Sequence, residues 1–338
     1  MLLHYRELSA DLERIRRYLT ALAGDTPTLD QRRFAYVACV STLYASFEHF
    51  AERIAFRFTQ ILLSHPTHLA ATEVEKLRKR YVSNASSLLT QSLGTGRYQD
   101  VTELDVAKSL ASCLDDSMAY DLRLEVLSLH NSNLRWDTLN GMFNWAAGDL
   151  LRGIAASDAV EKWFAAPGAS GKAIAEIIDL ELKELVERRN EVAHRGIPDD
   201  ILSPERMLEK VAYIDVICLA LVASLATRIL STTMKTGESV TLGIPSNLYK
   251  GGRVAILELR EDIAVGDIVW ASYSNKARWG RVIEIQLDNE SVPRATAGDE
   301  AGLLLEFTMP KKANLQHWRN PTEDLIPLPL AIFGDRGP

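Results

Sequence analysis

The stretch from Glu187 to Gly196 combines arginine, asparagine and histidine at short spacing. A histidine such as His194 gains and loses a proton near neutral pH, so it can serve as a base or an acid. Arg189 stays charged and presents a planar fork of donors that matches phosphate oxygens. RNA cleavage without a metal needs a base for the 2'-hydroxyl, an acid for the leaving 5'-oxygen and a cation for the developing charge. These residue types therefore match that chemistry.

The spacing predicts that these groups lie on the last turns of a helix. Asn190 and His194 are four residues apart and share one face, where the amide is placed to orient the imidazole or a phosphate. Arg189 precedes His194 by five positions, roughly 140° around the axis, so its side chain must wrap around the helix or the helix must end there. Gly196 and Pro198 predict that ending.

The bare spacing is not specific. An arginine followed after four to six residues by a histidine is expected about once by chance in such a chain, and Arg123 with His130 also fits. Only Arg189 and His194 are accompanied by an asparagine and a closing glycine at the end of a helical stretch. The alternative interpretation of this pair is a surface ion pair near a helix C-terminus, where the dipole favours cations.

Apolar spacing predicts that most of the first 230 residues are helical. Leucines and isoleucines recur at three and four residues between Leu8 and Leu22, which indicates one face of an amphipathic helix. The apolar run Val216–Ala226 has 11 residues, short of the ~20 needed to span a bilayer, and is predicted to be a buried core helix. Further helices are predicted over about 34–62, 73–89, 103–114, 136–146, 171–194 and 204–230.

Beyond residue 233 the pattern changes to short β-branched runs separated by turns, over 239–242, 253–259, 267–273, 281–287 and 303–308. Such spacing predicts a small barrel or sandwich. The predicted fold class is therefore α+β, with an all-α helical bundle over residues 1–233 and a small all-β domain over 234–338. We expect the second domain to have an accessory role or to recognise substrate or partner.

The composition is that of a soluble globular protein, because 47% of its 338 residues are apolar and 25% are charged. Three scattered cysteines without a CxxC spacing argue against a disulfide framework or structural zinc, and no secretory signal is evident, so we expect a cytoplasmic location. The net charge of -7 disfavours a protein that coats nucleic acid, but it leaves room for a local RNA site.

Three segments resemble the HEPN superfamily, whose members are helical bundles and often metal-independent RNases. Arg189–Gly196 resembles its Arg-Asn-x-x-Ala-His signature, although Arg195 stands where a glycine usually follows the histidine directly. Leu43–Phe50 is similar to the Tyr-Ala-x-x-Glu-x-Phe stretch of one prokaryotic branch, and Ser132–Asn140 to its Asn-Leu-x-x-x-x-Leu-Asn segment. The resemblance covers roughly residues 1–230.

The resemblance implies a metal-independent endoribonuclease without cofactor. His194 would transfer protons, Arg189 would stabilise the transition state and Asn190 would orient, leaving 2',3'-cyclic phosphate ends. Family members act as homodimers whose motif helices meet in one cleft. The branch occurs in toxin–antitoxin and antiphage loci, which implies RNA, such as tRNA or mRNA, as substrate and an antitoxin or defence protein as partner.

Two alternatives to a nuclease stay open within the same superfamily. HEPN domains also serve as non-catalytic modules that bind nucleotides or regulate a partner protein. A third class is a toxin subunit that a neighbouring nucleotidyltransferase modifies. A membrane role is not expected for any of these.

Glu48 and Arg188 are predicted to support the site. Glu48 lies in an apolar and aromatic stretch, and a buried carboxylate normally needs a partner, so we expect it to hold Arg189 or Arg188 across the core. The alternative is that Glu48 is a partly exposed polar residue. Arg188 adds a second cation beside the motif arginine.

Two further groups are candidates for RNA binding. The basic run Lys76–Tyr81 offers cations for a backbone and a tyrosine for stacking, although nearby Glu73 and Glu75 favour a solvated helix face. Its candidate contacts are Arg78, Lys79, Arg80 and Tyr81.

The other group lies in the β region, where 265–271 and 278–283 resemble the start of an SH3-like or PWWP-like barrel. Trp270 and Trp279 are its candidate RNA-binding residues, with Tyr273 and Trp318 nearby. The alternative is that these aromatic side chains fill a small core. Lys276, Arg278 and Arg281 are the accompanying cations.

Overall fold

The computed structural model describes residues 1–115, 119–130, 133–164, 171–198, 200–273, 276–321 and 325, with backbone alone for 171–173. Helices occupy the first part of the chain and an antiparallel sheet the second, so the predicted α+β class is confirmed. By contacts, the chain forms two compact units. One comprises Leu3–Val222, and the other comprises Ala223–Pro338 together with Met1–Leu2.

The predicted long helices are present, with shifted ends. Helices α5, α7 and α8 have only four to six residues, too few for an apolar period to show, and the sequence prediction misses them. In order, the helices are α1 (Leu2–Gly24), α2 (Leu29–Leu63), α3 (Ala71–Leu89), α4 (Glu103–Leu114), α5 (Leu124–Leu127), α6 (Trp136–Phe143), α7 (Leu150–Ala155), α8 (Asp158–Trp163), α9 (Gly171–Arg195) and α10 (Pro204–Thr236).

Helix α2 is the element on which the candidate site is built. It begins at a capping box, in which the Thr28 hydroxyl accepts from the Gln31 amide at 3.3 Å and the Gln31 side chain accepts from the Thr28 amide at 2.8 Å. Its 35 residues include the buried aromatics Tyr36, Tyr44 and Phe47. Because α2 packs against α5, α6 and α9, it brings the three segments of the family resemblance together.

Helix α9 ends where the sequence predicts. It runs through His194 and Arg195, and Gly196 then adopts a φ of 73° while its amide donates to the Val192 carbonyl at 3.1 Å. A left-handed residue at this position is the common helix stop, and glycine adopts it without strain. Arg195 therefore continues the helix by one residue and leaves the ending intact.

Helix α10 is more apolar than the sequence prediction allowed. Its length and composition would allow it to cross a membrane, whereas the sequence prediction considered only the run of 11 apolar residues that begins at Val216. However, 61% of its most apolar 18-residue window is buried inside the protein. This burial is typical of the core helix of a soluble protein, as predicted.

Most of the described strands form an antiparallel sheet in the order β1-β10-β5-β6-β9-β3-β2, with β7 on β6, and β4 and β8 form a separate antiparallel pair. The sequence prediction misses β2, β4, β7, β8 and β10, which have two to four residues each. The strands are β1 (Ser239–Gly243), β2 (Asn247–Tyr249), β3 (Val254–Glu258), β4 (Ile263–Ala264), β5 (Ile268–Tyr273), β6 (Lys276–Leu287), β7 (Glu290–Val292), β8 (Arg294–Ala295), β9 (Glu300–Leu305) and β10 (Leu315–Trp318).

The sheet curves towards closure. The Arg260 amide, just after β3, donates to the Leu242 carbonyl in β1 at 2.9 Å, which links regions near opposite ends of the strand order. Leucines, valines and alanines of β1, β3, β5, β6, β9 and β10 fill its interior. This arrangement agrees with a small barrel, and the likeness to SH3-like domains stays a prediction.

Candidate active site

Arg189 is fixed by two side-chain amides. Its Nη1 donates to Oδ1 of Asn133 at 3.3 Å and to Oδ1 of Asn190 at 3.2 Å, and Asn133 Nδ2 donates to Asn190 Oδ1 at 3.0 Å. Because a guanidinium only donates, both amide oxygens must face it. The Nδ2 group of Asn190 therefore points away from Arg189, and it makes no hydrogen bond within the described part of the chain. This leaves two donors for a ligand oxygen.

The aromatic ring of Tyr44 packs against the Arg189 guanidinium. The guanidinium carbon lies 5.0 Å from the ring centroid, a distance typical of a cation–π contact. The Tyr44 hydroxyl accepts from the Leu134 amide at 2.9 Å and donates to Glu48 Oε1 at 3.2 Å. Burial raises the pKa of Tyr44 to about 12, so the hydroxyl keeps its proton and remains a donor at neutral pH.

Glu48 does not bind the motif arginines directly, and the predicted contact with Arg189 or Arg188 is wrong for the described residues. Its carboxylate accepts from Tyr44 and lies 3.6 Å from Nε2 of His130. The physical reason is that Tyr44 lies one helical turn before Glu48 on α2, so its hydroxyl is placed to bind the carboxylate. Glu48 supports Arg189 only through the Tyr44 ring.

His194 lies on the last turn of α9, is exposed, and makes no hydrogen bond or ion pair with another described residue. Asn190, one turn earlier, directs its oxygen to Asn133 and Arg189 and does not orient the imidazole. The Arg189 guanidinium is held by Tyr44, Asn133 and Asn190, and no hydrogen bond joins it to His194 among the described residues. One chain thus presents a fixed cation and an imidazole that has no described partner.

Arg188 anchors α9 to its neighbours. Its Nε donates to Glu184 at 2.8 Å and its Nη1 donates to the buried Tyr36 hydroxyl at 3.1 Å. Burial opposes its charge, but these two hydrogen bonds outweigh that effect and raise the pKa of Arg188. Lys210 also bonds Glu184, so the carboxylate joins α9 to α10. Arg188 is therefore committed to the fold, unlike Arg189.

Sequence reasoning missed a buried cluster behind Tyr44. His130 Nε2 lies 3.1 Å from Oε1 of Glu52, and Arg97 forms a further ion pair with Glu52. Glu52 was detectable, since it is one helical turn beyond Glu48. His130 drew attention only through its spacing from Arg123, which instead pairs with Glu125 at 3.3 Å. Nothing in the sequence signals Arg97.

The predicted segments and the geometry together point to one family. The RiboL-PSP-HEPN family profile matches residues 6–227, about two thirds of the chain. The chain belongs to this HEPN family. The match contains every residue around Arg189 and stops before the first strand, so the sheet is additional to the HEPN domain. Membership indicates a nuclease or RNA-related function.

A comparison with curated proteins gives no match, so residue roles in this HEPN domain rest on its own geometry. Within the described residues, no three His, Cys, Asp or Glu side chains are arranged to hold a metal ion. Nothing in the geometry around Arg189 singles out a cofactor site either. The groups with evident ligand-binding capacity are the Arg189 guanidinium and the Asn190 amide.

The basic run of the HEPN domain is mostly structural, which corrects the RNA-binding prediction for three of its four residues. Arg78 Nε donates to the Cys113 carbonyl at 3.0 Å, and Arg80 donates to the Gly141 carbonyl. Tyr81 is fully buried and has no face available for a base. Lys79 alone of the four is exposed. The physical reason is that α3 packs this face against α4 and α5.

Tyr81→Phe is expected to lower the free energy of unfolding by about 1–3 kcal/mol, because it leaves a buried amide without its partner. The Tyr81 hydroxyl donates to Ser109 Oγ and accepts from the Arg123 amide, both at 2.9 Å. Denaturant unfolding measures the change, and RNA binding should stay at the wild-type level. Weaker RNA binding at unchanged stability would instead support the stacking role.

The tryptophans of the sheet do not form an open aromatic site. Trp270 is 1% exposed, and its Nε1 donates to Ser239 Oγ at 3.0 Å, so its predicted contact with RNA is wrong. Trp318 is equally buried. Trp279, opposite Trp270 on β6, is partly exposed, and its Nε1 donates to the Leu325 carbonyl at 2.8 Å. The core interpretation therefore applies to Trp270 and Trp318.

Proposed function

We propose that the protein is an endoribonuclease whose site is centred on Arg189, Asn190 and His194. The observation that carries the proposal is the neutral surroundings of Arg189: its partners Asn133, Asn190 and Tyr44 bear no charge. No carboxylate forms an ion pair with Arg189 within the described residues. A half-buried, fixed and uncompensated guanidinium is suited to bind a phosphate, which supplies the missing negative charge.

In the proposed reaction, His194 takes the proton of the 2'-hydroxyl, and the 2'-oxygen attacks the adjacent phosphorus. The bond from phosphorus to the 5'-oxygen breaks, and an acid returns a proton to that oxygen. Arg189 and the free Nδ2 group of Asn190 stabilise the charge on the non-bridging oxygens. The products are a 2',3'-cyclic phosphate and a 5'-hydroxyl.

The proposal includes a homodimer through the motif helices. The reaction needs both a base and an acid, whereas α9 of one chain offers a single histidine, which is exposed and has no described hydrogen bond with Arg189. A second copy would supply the second imidazole and place it near the first arginine. The motif end of α9 is free to meet a partner, because Ala193, His194 and Arg195 are all exposed.

The proposed setting is the cytoplasm, as a toxin or antiphage effector that cleaves cellular RNA, such as tRNA or mRNA, under control of a partner protein. HEPN membership supports an RNA-related role, and the buried apolar window of α10 supports a soluble protein. The sheet beyond the HEPN domain is proposed to recognise RNA or the partner. Its separate core favours an independent recognition role.

A second candidate is a non-catalytic module that binds a nucleotide or regulates a partner. The observation that favours it is the free imidazole: His194 has no described partner that fixes its tautomer or orientation, as a general base usually has. In this case Arg189 would bind phosphate without turnover. RNA or nucleotide would then bind and dissociate unchanged.

The decisive experiment incubates the purified protein with total cellular RNA in EDTA and maps the product ends. The nuclease proposal expects cleavage with 2',3'-cyclic phosphate and 5'-hydroxyl ends, because neither proton transfer nor the Arg189 cation requires a metal. Products with 5'-phosphate ends, or cleavage abolished by EDTA, would overturn this mechanism. Binding without cleavage would select the non-catalytic module.

A further inference from the structure

A buried network connects Tyr44 to charged residues that lie away from the RNA-binding groups. Glu48 and Glu52 are one turn apart on α2, and His130 Nε2 approaches both, at 3.6 Å and 3.1 Å. Only 7% of the His130 side chain is exposed, so water does not replace these contacts. Arg97 closes the far side of the network by pairing with Glu52.

The network separates the roles of the two carboxylates. Burial raises the pKa of Glu52, but its hydrogen bonds with His130 and Arg97 outweigh burial, and the net pKa is lowered. Glu52 is therefore an anion with two donors of its own. Glu48 instead uses a single oxygen, Oε1, to accept from the Tyr44 hydroxyl and to approach His130.

Glu48 is a carboxylate that would compete with the RNA phosphate for Arg189. The Tyr44 ring contacts the guanidinium on its face and its hydroxyl donates to Glu48, so a carboxylate lies close behind the proposed phosphate-binding cation. Opposite charges attract strongly in a half-buried site. An ion pair between Glu48 and Arg189 would neutralise the guanidinium and draw it away from RNA.

We propose that His130 is a positioning residue that holds Glu48 behind Tyr44 and thereby keeps Arg189 uncompensated. The inference rests on the proposed phosphate-binding role of Arg189 in the ribonuclease. His130 does not act as a proton donor to RNA, because it is buried against Glu52, and the described contacts connect it to Arg189 through Glu48 and Tyr44. Glu52, which also pairs with Arg97, in turn holds the imidazole.

The test compares His130→Ala with the double variant His130→Ala/Glu48→Gln. Alanine releases Glu48 towards Arg189, and the expected result is a kcat reduced about 10- to 100-fold, since small displacements of a catalytic group have effects of this size. Glutamine cannot pair ionically with Arg189 and still accepts from Tyr44. The double variant is therefore expected to recover to within about threefold of wild type, a strong departure from additivity.

A structural role for His130 predicts a different result, because Glu48→Gln cannot refill the space of a lost imidazole. A double variant as impaired as His130→Ala would overturn the proposal, as would wild-type activity of His130→Ala. His130→Asn provides the same comparison if alanine prevents folding. Its shorter amide retains a polar group but does not extend to the position of Nε2, so it is expected to be impaired and likewise rescued by Glu48→Gln.

A readout without RNA separates failure of this proposal from failure of the nuclease proposal. In arginine-selective NMR spectra, the Nε–Hε signal that disappears in Arg189→Lys reports the position of the guanidinium over the Tyr44 ring. We expect this signal to move in His130→Ala and to return in the double variant. An unmoved signal would refute positioning by His130. The expected movements in a protein that cleaves no RNA would refute the nuclease alone.

Discussion

Replacement of His194 by alanine is expected to reduce RNA cleavage about 100- to 10,000-fold, the usual contribution of a general acid or base. The free energy of unfolding should change by less than about 0.5 kcal/mol, because the side chain is exposed and has no described partner. Cleavage kinetics with a defined RNA oligonucleotide and denaturant unfolding measure the two effects. The substitution should therefore lower the cleavage rate and leave the free energy of unfolding almost unchanged.

The matched control for His194→Ala is Arg195→Ala. Arg195 is the next residue of α9, its side chain is 78% exposed, and its only described ion pair is with Glu191 at 3.6 Å. Loss of this cation should weaken RNA binding slightly and leave kcat near the wild-type value. Equal losses of kcat in both variants would mean that any change to the exposed end of α9 impairs cleavage. The assignment of His194 as the general base would then be wrong.

The sequence predicted the elements of the site better than their contacts. Helical spacing located α2 and α9, and Gly196 located the end of α9, because periodicity and glycine preference are local properties. The HEPN-like segments contain Asn133 and Tyr44, and both residues contact Arg189. However, no spacing rule reveals that an amide from the stretch just before α6 and a ring from α2 complete a cation site.

The errors share a cause: burial is decided by tertiary packing. Tyr81 and Trp270 have the residue types of stacking platforms, yet both lie in cores, where a buried hydroxyl or indole finds a polar partner. Glu48 was expected to meet an arginine, but a tyrosine one turn away reached it first. His130 resembled a chance match, but its imidazole lies close to two carboxylates of α2.

Arg189→Ala is expected to lower kcat about 100- to 1,000-fold, because it removes the cation that stabilises the developing phosphate charge. Arg189→Lys should recover only part of this loss. An ammonium is a point charge on a flexible stem and cannot donate to Asn133 and Asn190 while also presenting a planar fork to phosphate. The measurement is the single-turnover cleavage rate of one RNA oligonucleotide by the three proteins. We expect the rate to be highest for wild type, lower for Arg189→Lys and lowest for Arg189→Ala.

The neighbouring Arg188→Ala variant distinguishes a specific cation from general positive charge. Arg188 is neutralised by Glu184 and bonded to Tyr36, so its loss should cost about 1–3 kcal/mol of unfolding free energy and much less kcat than Arg189→Ala. The two adjacent arginines carry equal charge, but the loss of Arg188 would then mainly lower stability, whereas the loss of Arg189 would mainly lower kcat. Equal losses of kcat would contradict the argument that Arg189 acts because its charge has no protein partner.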